Sequence, residues 1–121
     1  MSNPAYHHGD LLLVSLPFAD VVQSKVRPVL LVQNDIANKV SGNLIVAAIS
    51  SHVPQRLLPV QYKVAAGSSL AQEAGLVRDS VVDCGVIYTI AKSRVRRKIG
   101  ALPPDAMAEI DSRLKISLAL A

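Results

Sequence analysis

The fold of this chain is decided by two apolar runs, Val26-Arg27-Pro28-Val29-Leu30-Leu31-Val32 and Asn43-Leu44-Ile45-Val46-Ala47-Ala48-Ile49-Ser50. Each run is rich in branched side chains and bounded by turn-forming residues, which is typical of a buried β-strand. Pro28 fixes its own φ and favours an extended conformation at Arg27. If the runs pair antiparallel, Arg27 and Ser50 lie near the same edge of the sheet. A guanidinium beside a hydroxyl is suited to binding a phosphate.

Length and composition indicate one compact domain. The chain has 121 residues, of which 50% are hydrophobic, with one Phe and no Trp. This length suffices for a real core built from Val, Leu, Ile and Ala, and we assign residues 1–121 to a single domain with a flexible leader at residues 1–8. No apolar run approaches the ~18 residues of a membrane span, and no secretory signal pattern is present. We therefore expect a cytoplasmic protein that does not enter the membrane.

The rest of the chain predicts further strands and short helices. Outside the two runs, strand patterns occupy residues 11–16, 60–64, 80–83, 86–90 and 95–102. The break at Cys84-Gly85 indicates a bulge or a close backbone approach. Short helical turns are expected at residues 36–38 and, after Ser68 as a cap, at residues 70–73.

A longer helix is predicted at the end of the chain. It opens at Pro103-Pro104 and carries one apolar stripe at helical spacing. The members of the stripe are Met107, Ile110, Leu114, Leu118 and Ala121. Ile116 lies off the stripe and hints at a second buried surface, such as a dimer contact. Together these elements predict a mainly β fold, a small and strongly bent sheet or barrel with short helices and a long C-terminal helix.

The charge is unevenly distributed along the chain. The net charge is +4, and the excess lies in the second half. Five cations occur between Lys92 and Lys98 with no acid among them. Such a patch suits nucleic acid or an acidic protein partner, and a plain solvated face is the alternative. We expect this patch to lie outside the strands that carry Arg27 and Ser50.

The usual catalytic sets are missing. Three histidines and one cysteine form no convincing nucleophile pair, the acids are scattered, and no glycine-rich phosphate loop is present. The adjacent His7 and His8 point to opposite faces of an extended segment, so no metal site and no cofactor are predicted. What remains is Arg27 with Ser50 and Ser51. An arginine before a proline also occurs for structural reasons, and the residues alone leave both interpretations open.

Several segments, in this order and at this spacing, resemble the MazF/PemK family of toxins from Gly9 onward. The segments that carry the resemblance are Gly9–Val14, Val26–Asp35, Leu44–Ser50, Asp79–Val82, Thr89–Ile90 and Ile116–Leu120. The resemblance implies an SH3-like barrel of the CcdB/PemK type and a homodimeric endoribonuclease, the toxin of a type II toxin–antitoxin pair. It also implies single-stranded RNA or mRNA as the substrate and a cognate antitoxin as a protein partner.

The resemblance also implies a metal-independent mechanism. The 2′-hydroxyl of the RNA attacks the adjacent phosphate and leaves a 2′,3′-cyclic phosphate and a 5′-hydroxyl. The family's catalytic Arg falls on Arg27 and its usual catalytic Thr falls on Ser50. A guanidinium stabilises developing charge but is a poor general base, and no general base is evident.

Further substrate contacts are expected from residues that flank this pair. These candidates are Phe18, Gln23, Ser24, Lys25, Ser51 and Tyr88. Phe18 offers a stacking face or, alternatively, fills a core, and Tyr88 offers base stacking. Two segments depart from the family's usual pattern, residues 19–25 and residues 85–91, where an acidic residue, a Gln, an Arg and an Asp are replaced. The alternative hypothesis is a catalytically reduced relative that acts by binding a regulatory partner.

Overall fold

The computed structural model describes residues 5–16 and 25–120. This part of the chain contains β1 (Asp10–Leu16), β2 (Lys25–Leu31), α1 (Asp35–Val40), β3 (Asn43–Ser50), β4 (Gln61–Val64), α2 (Ser69–Ala74), β5 (Ser80–Ala91), β6 (Val95–Ala101) and α3 (Pro104–Ser117). The strands form one antiparallel sheet in the order β4-β5-β3-β2-β1-β6. The predicted mainly β fold with short helices and a C-terminal helix is therefore confirmed. Outside β5, each strand bound lies within one residue of its prediction.

The bent sheet buries both of its faces. On one face Leu11, Leu30 and Ala47 pack with α2 and α3 and form the first core. On the other face Leu12, Val29 and their neighbours form the second core. Successive residues of a strand alternate between these cores, because their side chains point to opposite faces. The largest fully buried side chains are all Leu, Ile or Val, as the composition predicted.

A buried polar pair holds the connection between β2 and β3. Asn38 Nδ2 donates to the carbonyl oxygen of Gln33 at 2.9 Å. Gln33 Nε2 donates to Asn38 Oδ1 at 3.0 Å and to the carbonyl oxygen of Asn43 at 2.9 Å. Asn34 caps α1 by accepting the Ala37 N–H. These bonds tie the end of β2 to the start of β3 and help to set the register between the two strands.

β5 is one continuous strand, whereas the sequence predicted two. Ala47 of β3 pairs with Ile87, but its neighbour Ala48 pairs with Asp83, so three residues of β5 form a bulge between these pairs. Gly85 lies in the bulge, and its N–H donates to Asp83 Oδ1 at 2.9 Å. A bulge bends a strand without ending it. The predicted irregularity at the glycine is confirmed, and the predicted separation into two strands is wrong.

The apolar stripe of α3 is shorter than predicted. Met107 and Ile110 are buried against the sheet. The helix ends at Ser117, and Leu118 is more than half exposed, so it does not continue the stripe. Ala121 lies outside the described residues. In residues 5–16 and 25–120, no helix combines the length and the apolar character needed to cross a membrane.

Candidate active site

Arg27 and Ser50 lie opposite each other on two central strands, where β2 begins and β3 ends. β2 and β3 pair antiparallel, with Val29 opposite Ala48. Continuing this register by two residues brings Arg27 opposite Ser50. Arg27 is exposed and Ser50 is half-buried. The register therefore juxtaposes the two side chains that sequence reasoning singled out, on the face of the sheet that carries the second core.

The Ser50 hydroxyl is held by the turn that follows β3. Its Oγ accepts the N–H of His52 at 3.0 Å. A serine hydroxyl has one proton and two acceptor lone pairs, so this bond uses an acceptor position and leaves the proton for donation. Ser50 can therefore donate a hydrogen bond to an oxygen placed beside it.

Tyr88 lies on the same face and within electrostatic reach of Arg27. It sits opposite Val46 of β3 and packs against the second core. Burial raises the pKa of Tyr88, and the positive charge of Arg27 partly opposes this effect. The phenol stays protonated at neutral pH, where it offers a ring face and a hydroxyl donor beside Arg27.

The remaining predicted contacts are placed only in part. Lys25 opens β2 opposite Leu16 and is exposed. Ser51 follows β3 and borders a cleft together with Arg27. The three other candidates lie outside the described residues; these are Phe18, Gln23 and Ser24.

This cleft, which we name the strand-end cleft, has a volume of about 370 Å³. It opens on the face of the sheet that carries the first core, to which Ile49 belongs. Its floor is apolar and includes Leu13, Pro28 and Ile49. Three arginines border it, namely Arg27, Arg78 and Arg97. Sequence reasoning missed Arg78 and Arg97 as neighbours of Arg27, because only the tertiary structure brings the three together.

The basic run lies outside β2 and β3, as predicted, and its part on β6 is divided between the two faces of the sheet. Arg97 pairs with Leu13 and Lys98 with Leu12, whereas Val95 pairs with Val14, which leaves Arg96 in a bulge. Because neighbouring residues point to opposite faces, Arg97 reaches the strand-end cleft and Lys98 does not. The alternation of β6 was visible in the sequence, but its pairing with β1 was not.

Metal-binding side chains are dispersed in the described part of the chain, where no group of three or more His, Cys, Asp or Glu is placed to hold an ion. His7 Nδ1 lies 4.0 Å from Asp35, and His8 Nε2 lies 3.5 Å from Asp111. The two histidines thus approach different carboxylates. The groups near Arg27 are those of a phosphate-binding site, namely a guanidinium and hydroxyls.

Comparison with known proteins decides the family. A model of PemK-like, MazF-like toxins of type II toxin–antitoxin systems matches residues 7–118. Endoribonuclease EndoA of Bacillus subtilis (strain 168) is 40% identical over 113 residues, which are 93% of this chain and 93% of that protein. This chain belongs to the PemK/MazF-like toxin family. The predicted family and the predicted enzyme class, endoribonuclease, are confirmed at the level of these relatives.

Solved structures confirm the fold of this PemK/MazF-like toxin. A MazE–MazF structure from Deinococcus radiodurans matches with a TM-score of 0.76 at 21% identity, over 98% of this chain and all of that chain (100%). An endoribonuclease in complex with its cognate antitoxin, from Mycobacterial species, matches with a TM-score of 0.75 at 22% identity, over 97% of this chain and 98% of that chain. At these identities the likeness establishes a shared fold, the one that the family resemblance implied.

Proposed function

We propose that this PemK/MazF-like toxin is a sequence-selective endoribonuclease that cuts single-stranded RNA without a metal ion, using Arg27 and Ser50. The observation that carries the proposal is the β2–β3 register, in which Arg27 lies level with Ser50. The 40% identity to an endoribonuclease over 93% of the chain supports the same activity.

The RNA supplies its own nucleophile in this reaction. A bond forms between the 2′-oxygen and phosphorus while the bond from phosphorus to the 5′-oxygen breaks, which yields a 2′,3′-cyclic phosphate and a 5′-hydroxyl. The 2′-hydroxyl loses a proton and the leaving 5′-oxygen gains one. Negative charge grows on the non-bridging oxygens in the transition state, and a preorganised guanidinium stabilises it there. A guanidinium is a poor general base, so the role of Arg27 is electrostatic and includes no proton abstraction.

Ser50 is assigned to binding a phosphoryl oxygen. Its Oγ already accepts the His52 N–H, which favours donation of its proton to the substrate. Tyr88 lies near Arg27 and is assigned to the neighbouring base or ribose, by stacking or through its hydroxyl. Lys25 and Ser51 flank the pair along the same edge and are assigned to the RNA backbone.

We include a homodimer and a cognate antitoxin in the proposal, with cytoplasmic RNA as the substrate. Apolar side chains remain exposed at the end of the chain, because Ile116, Leu118 and Leu120 are each more than half exposed. A single small domain leaves this patch in contact with water, whereas a second copy of the chain covers it. Solved relatives of the same fold were determined with an antitoxin, which supports a protein partner of that kind.

The test is to incubate the purified protein with a long RNA in EDTA and in magnesium, and to map the new ends. We expect cleavage at a recurring short sequence in both conditions, with 5′-hydroxyl ends that a kinase labels without prior phosphatase treatment. Arg27→Ala, prepared in the same way, controls for contaminating nucleases and should be inactive. Loss of cleavage in EDTA with recovery in magnesium, or 5′-phosphate ends, would contradict the mechanism. A protein that binds an acidic partner but cuts no RNA would support the catalytically reduced alternative.

A further inference from the structure

The strand-end cleft adjoins the proposed active site directly. Arg27 borders it, and Ser51, which also lines it, follows Ser50 in the chain. Arg27 thus stands at the edge of the sheet between two surfaces, with Tyr88 on one face and the cleft on the other. An RNA strand whose phosphate lies at Arg27 has an adjacent nucleotide at the mouth of the cleft.

Two glycines allow the close packing that forms the rim of the cleft. Gly75 ends α2 with φ +75°, and a Cβ there would collide with the carbonyl group of Ile99 on β6. A Cβ on Gly100 would likewise collide with the backbone at the end of α2. The segment after α2 therefore packs directly on β6. This contact brings Arg78 to the same rim as Arg97.

A local hydrogen bond holds the backbone of Arg78 at this rim. Ser80 is buried at the start of β5, and its Oγ donates to the carbonyl oxygen of Arg78 at 2.9 Å. The bond anchors the backbone of Arg78 while its side chain is exposed. Arg97 is positioned by its pairing with Leu13 of β1. Both guanidinium groups are thus carried by backbone that the fold holds in place.

The charge of the cleft complements a phosphodiester. Within residues 5–16 and 25–120, neither Arg78 nor Arg97 forms an ion pair, and no Asp or Glu lines the cleft. Guanidinium groups bind phosphate oxygens through paired donors, and their planes also stack on bases. The apolar floor suits the face of a base, and a volume of about 370 Å³ lies at the small end of ligand pockets.

We propose that the strand-end cleft binds the ribonucleotide unit next to the scissile phosphate, with its base on the floor at Leu13, Pro28 and Ile49 and its far phosphate between Arg78 and Arg97. The inference rests on the proposed function and extends it, because it assigns part of the selectivity for the RNA sequence to the floor of this cleft. Single-stranded RNA is the favoured occupant, because the apolar floor suits a base and the cationic rim suits a phosphate.

A tryptophan reporter tests whether nucleic acid enters the cleft. The chain contains no Trp, so one introduced Trp is the sole indole fluorophore. Val77→Trp places it at the cleft, where residue 77 is 89% exposed, and Ile36→Trp places the control on α1 at a position 80% exposed. The ligand is a single-stranded oligonucleotide with 2′-deoxyribose throughout, which 2′-hydroxyl attack cannot cut. We expect saturable quenching of the Val77→Trp signal and none of the Ile36→Trp signal.

Two results of this experiment overturn the proposal. One is an absence of response from the Val77→Trp protein at oligonucleotide concentrations that saturate binding by anisotropy. The other is a response to an acidic peptide but not to the oligonucleotide, which would make the cleft a docking site for a protein partner. Because the oligonucleotide is not cut, the readout is independent of catalysis. A protein that cuts RNA but gives no reporter response keeps the proposed function and loses this inference.

Paired charge removal tests the roles of Arg78 and Arg97. The double variant Arg78→Ala/Arg97→Ala should flatten the plot of log affinity against log salt by about 0.7, since the two arginines share one phosphate and each phosphate contact on a single strand contributes about 0.7. Lys39→Ala/Lys115→Ala removes the same charge at exposed positions outside the cleft and should leave the slope at the wild-type value. Arg78→Lys/Arg97→Lys should restore most of the slope. Equal slopes for the cleft variant and its control would overturn the assignment.

Discussion

Lys98 Nζ lies 3.1 Å from Oδ1 of Asp10, whose carboxylate is only 3% exposed. The other carboxylate oxygen accepts the N–H of His7 at 2.8 Å. Lys98 therefore serves the fold, whereas Arg97, its neighbour on β6, faces the strand-end cleft. One strand thus carries a structural cation and a cation at the proposed RNA surface in consecutive positions.

Replacing Lys98 tests this structural role. Lys98→Ala should lower the free energy of unfolding by roughly 1–3 kcal/mol, because it leaves the buried Asp10 carboxylate without its charged partner. Arg96→Ala is the control, since an exposed residue in a bulge should change stability by less than about 0.5 kcal/mol. Urea denaturation of the three proteins provides the measurement. Equal midpoints for both variants would show that the ion pair contributes nothing.

Arg27→Ala should reduce kcat/KM for RNA cleavage. The decrease should correspond to a loss of roughly 3–4 kcal/mol of transition-state stabilisation, as expected when one preorganised donor is removed. Arg27 is exposed at the sheet edge, so its removal should not unfold the protein. Single-turnover cleavage of one RNA measures kcat/KM for the wild type and for Arg27→Ala. Unfolding curves show that both proteins are folded. A variant that keeps wild-type kcat/KM would rule out Arg27 as the catalytic cation.

Ser50→Ala should lose less activity than Arg27→Ala, because a neutral hydroxyl donor stabilises an anionic oxygen less than a cationic guanidinium does. Ser50→Thr should remain active, since the hydroxyl persists. The pair of variants separates the hydroxyl from the size of the side chain, and kcat/KM is the readout. Unchanged kcat/KM for Ser50→Ala in a folded protein would show that the hydroxyl has no part in the reaction.

The protein should be a homodimer in solution. The exposed Ile116, Leu118 and Leu120 provide an apolar surface at the end of α3 that a second copy covers. Light scattering at micromolar concentration should give about 26 kDa, twice the chain mass of 12.9 kDa. Ile116→Glu/Leu118→Glu should shift the protein toward the monomer. A wild-type mass of one chain would contradict the expectation.

Cys84 should resist alkylation in the folded protein. Its thiol lies in the first core, and burial raises its pKa from 9.0 to about 11, so the reactive thiolate is scarce at pH 8.5. Iodoacetamide should modify the urea-unfolded chain rapidly and the native chain slowly. The neutral thiol contributes stability fully below pH 9, and that contribution is lost as the pH rises through about 11. Cys84→Ala should lack this alkaline component of the stability curve. Rapid modification of the native protein would contradict the buried placement.

The sequence by itself determined the local elements and the family. Apolar runs of branched residues predicted β2 and β3, Ser68 marked the start of α2, and Pro103-Pro104 marked the start of α3. These features depend on neighbouring residues, because propensity, capping and turn chemistry act over a few positions. The antiparallel pairing of the two runs entered only as a condition, and the structure supplies it.

Only the tertiary structure decided which distant residues share a surface. The bulges in β5 and β6 depend on how each strand pairs with its partner, and a shift of one residue moves a side chain to the other face of the sheet. The register of β6 on β1 therefore decides that Arg97, and not Lys98, faces the strand-end cleft. The approach of α2 to β6 then places Arg78 beside Arg97, because glycines let two backbones meet. Such contacts join residues far apart in the chain, and no local pattern encodes them.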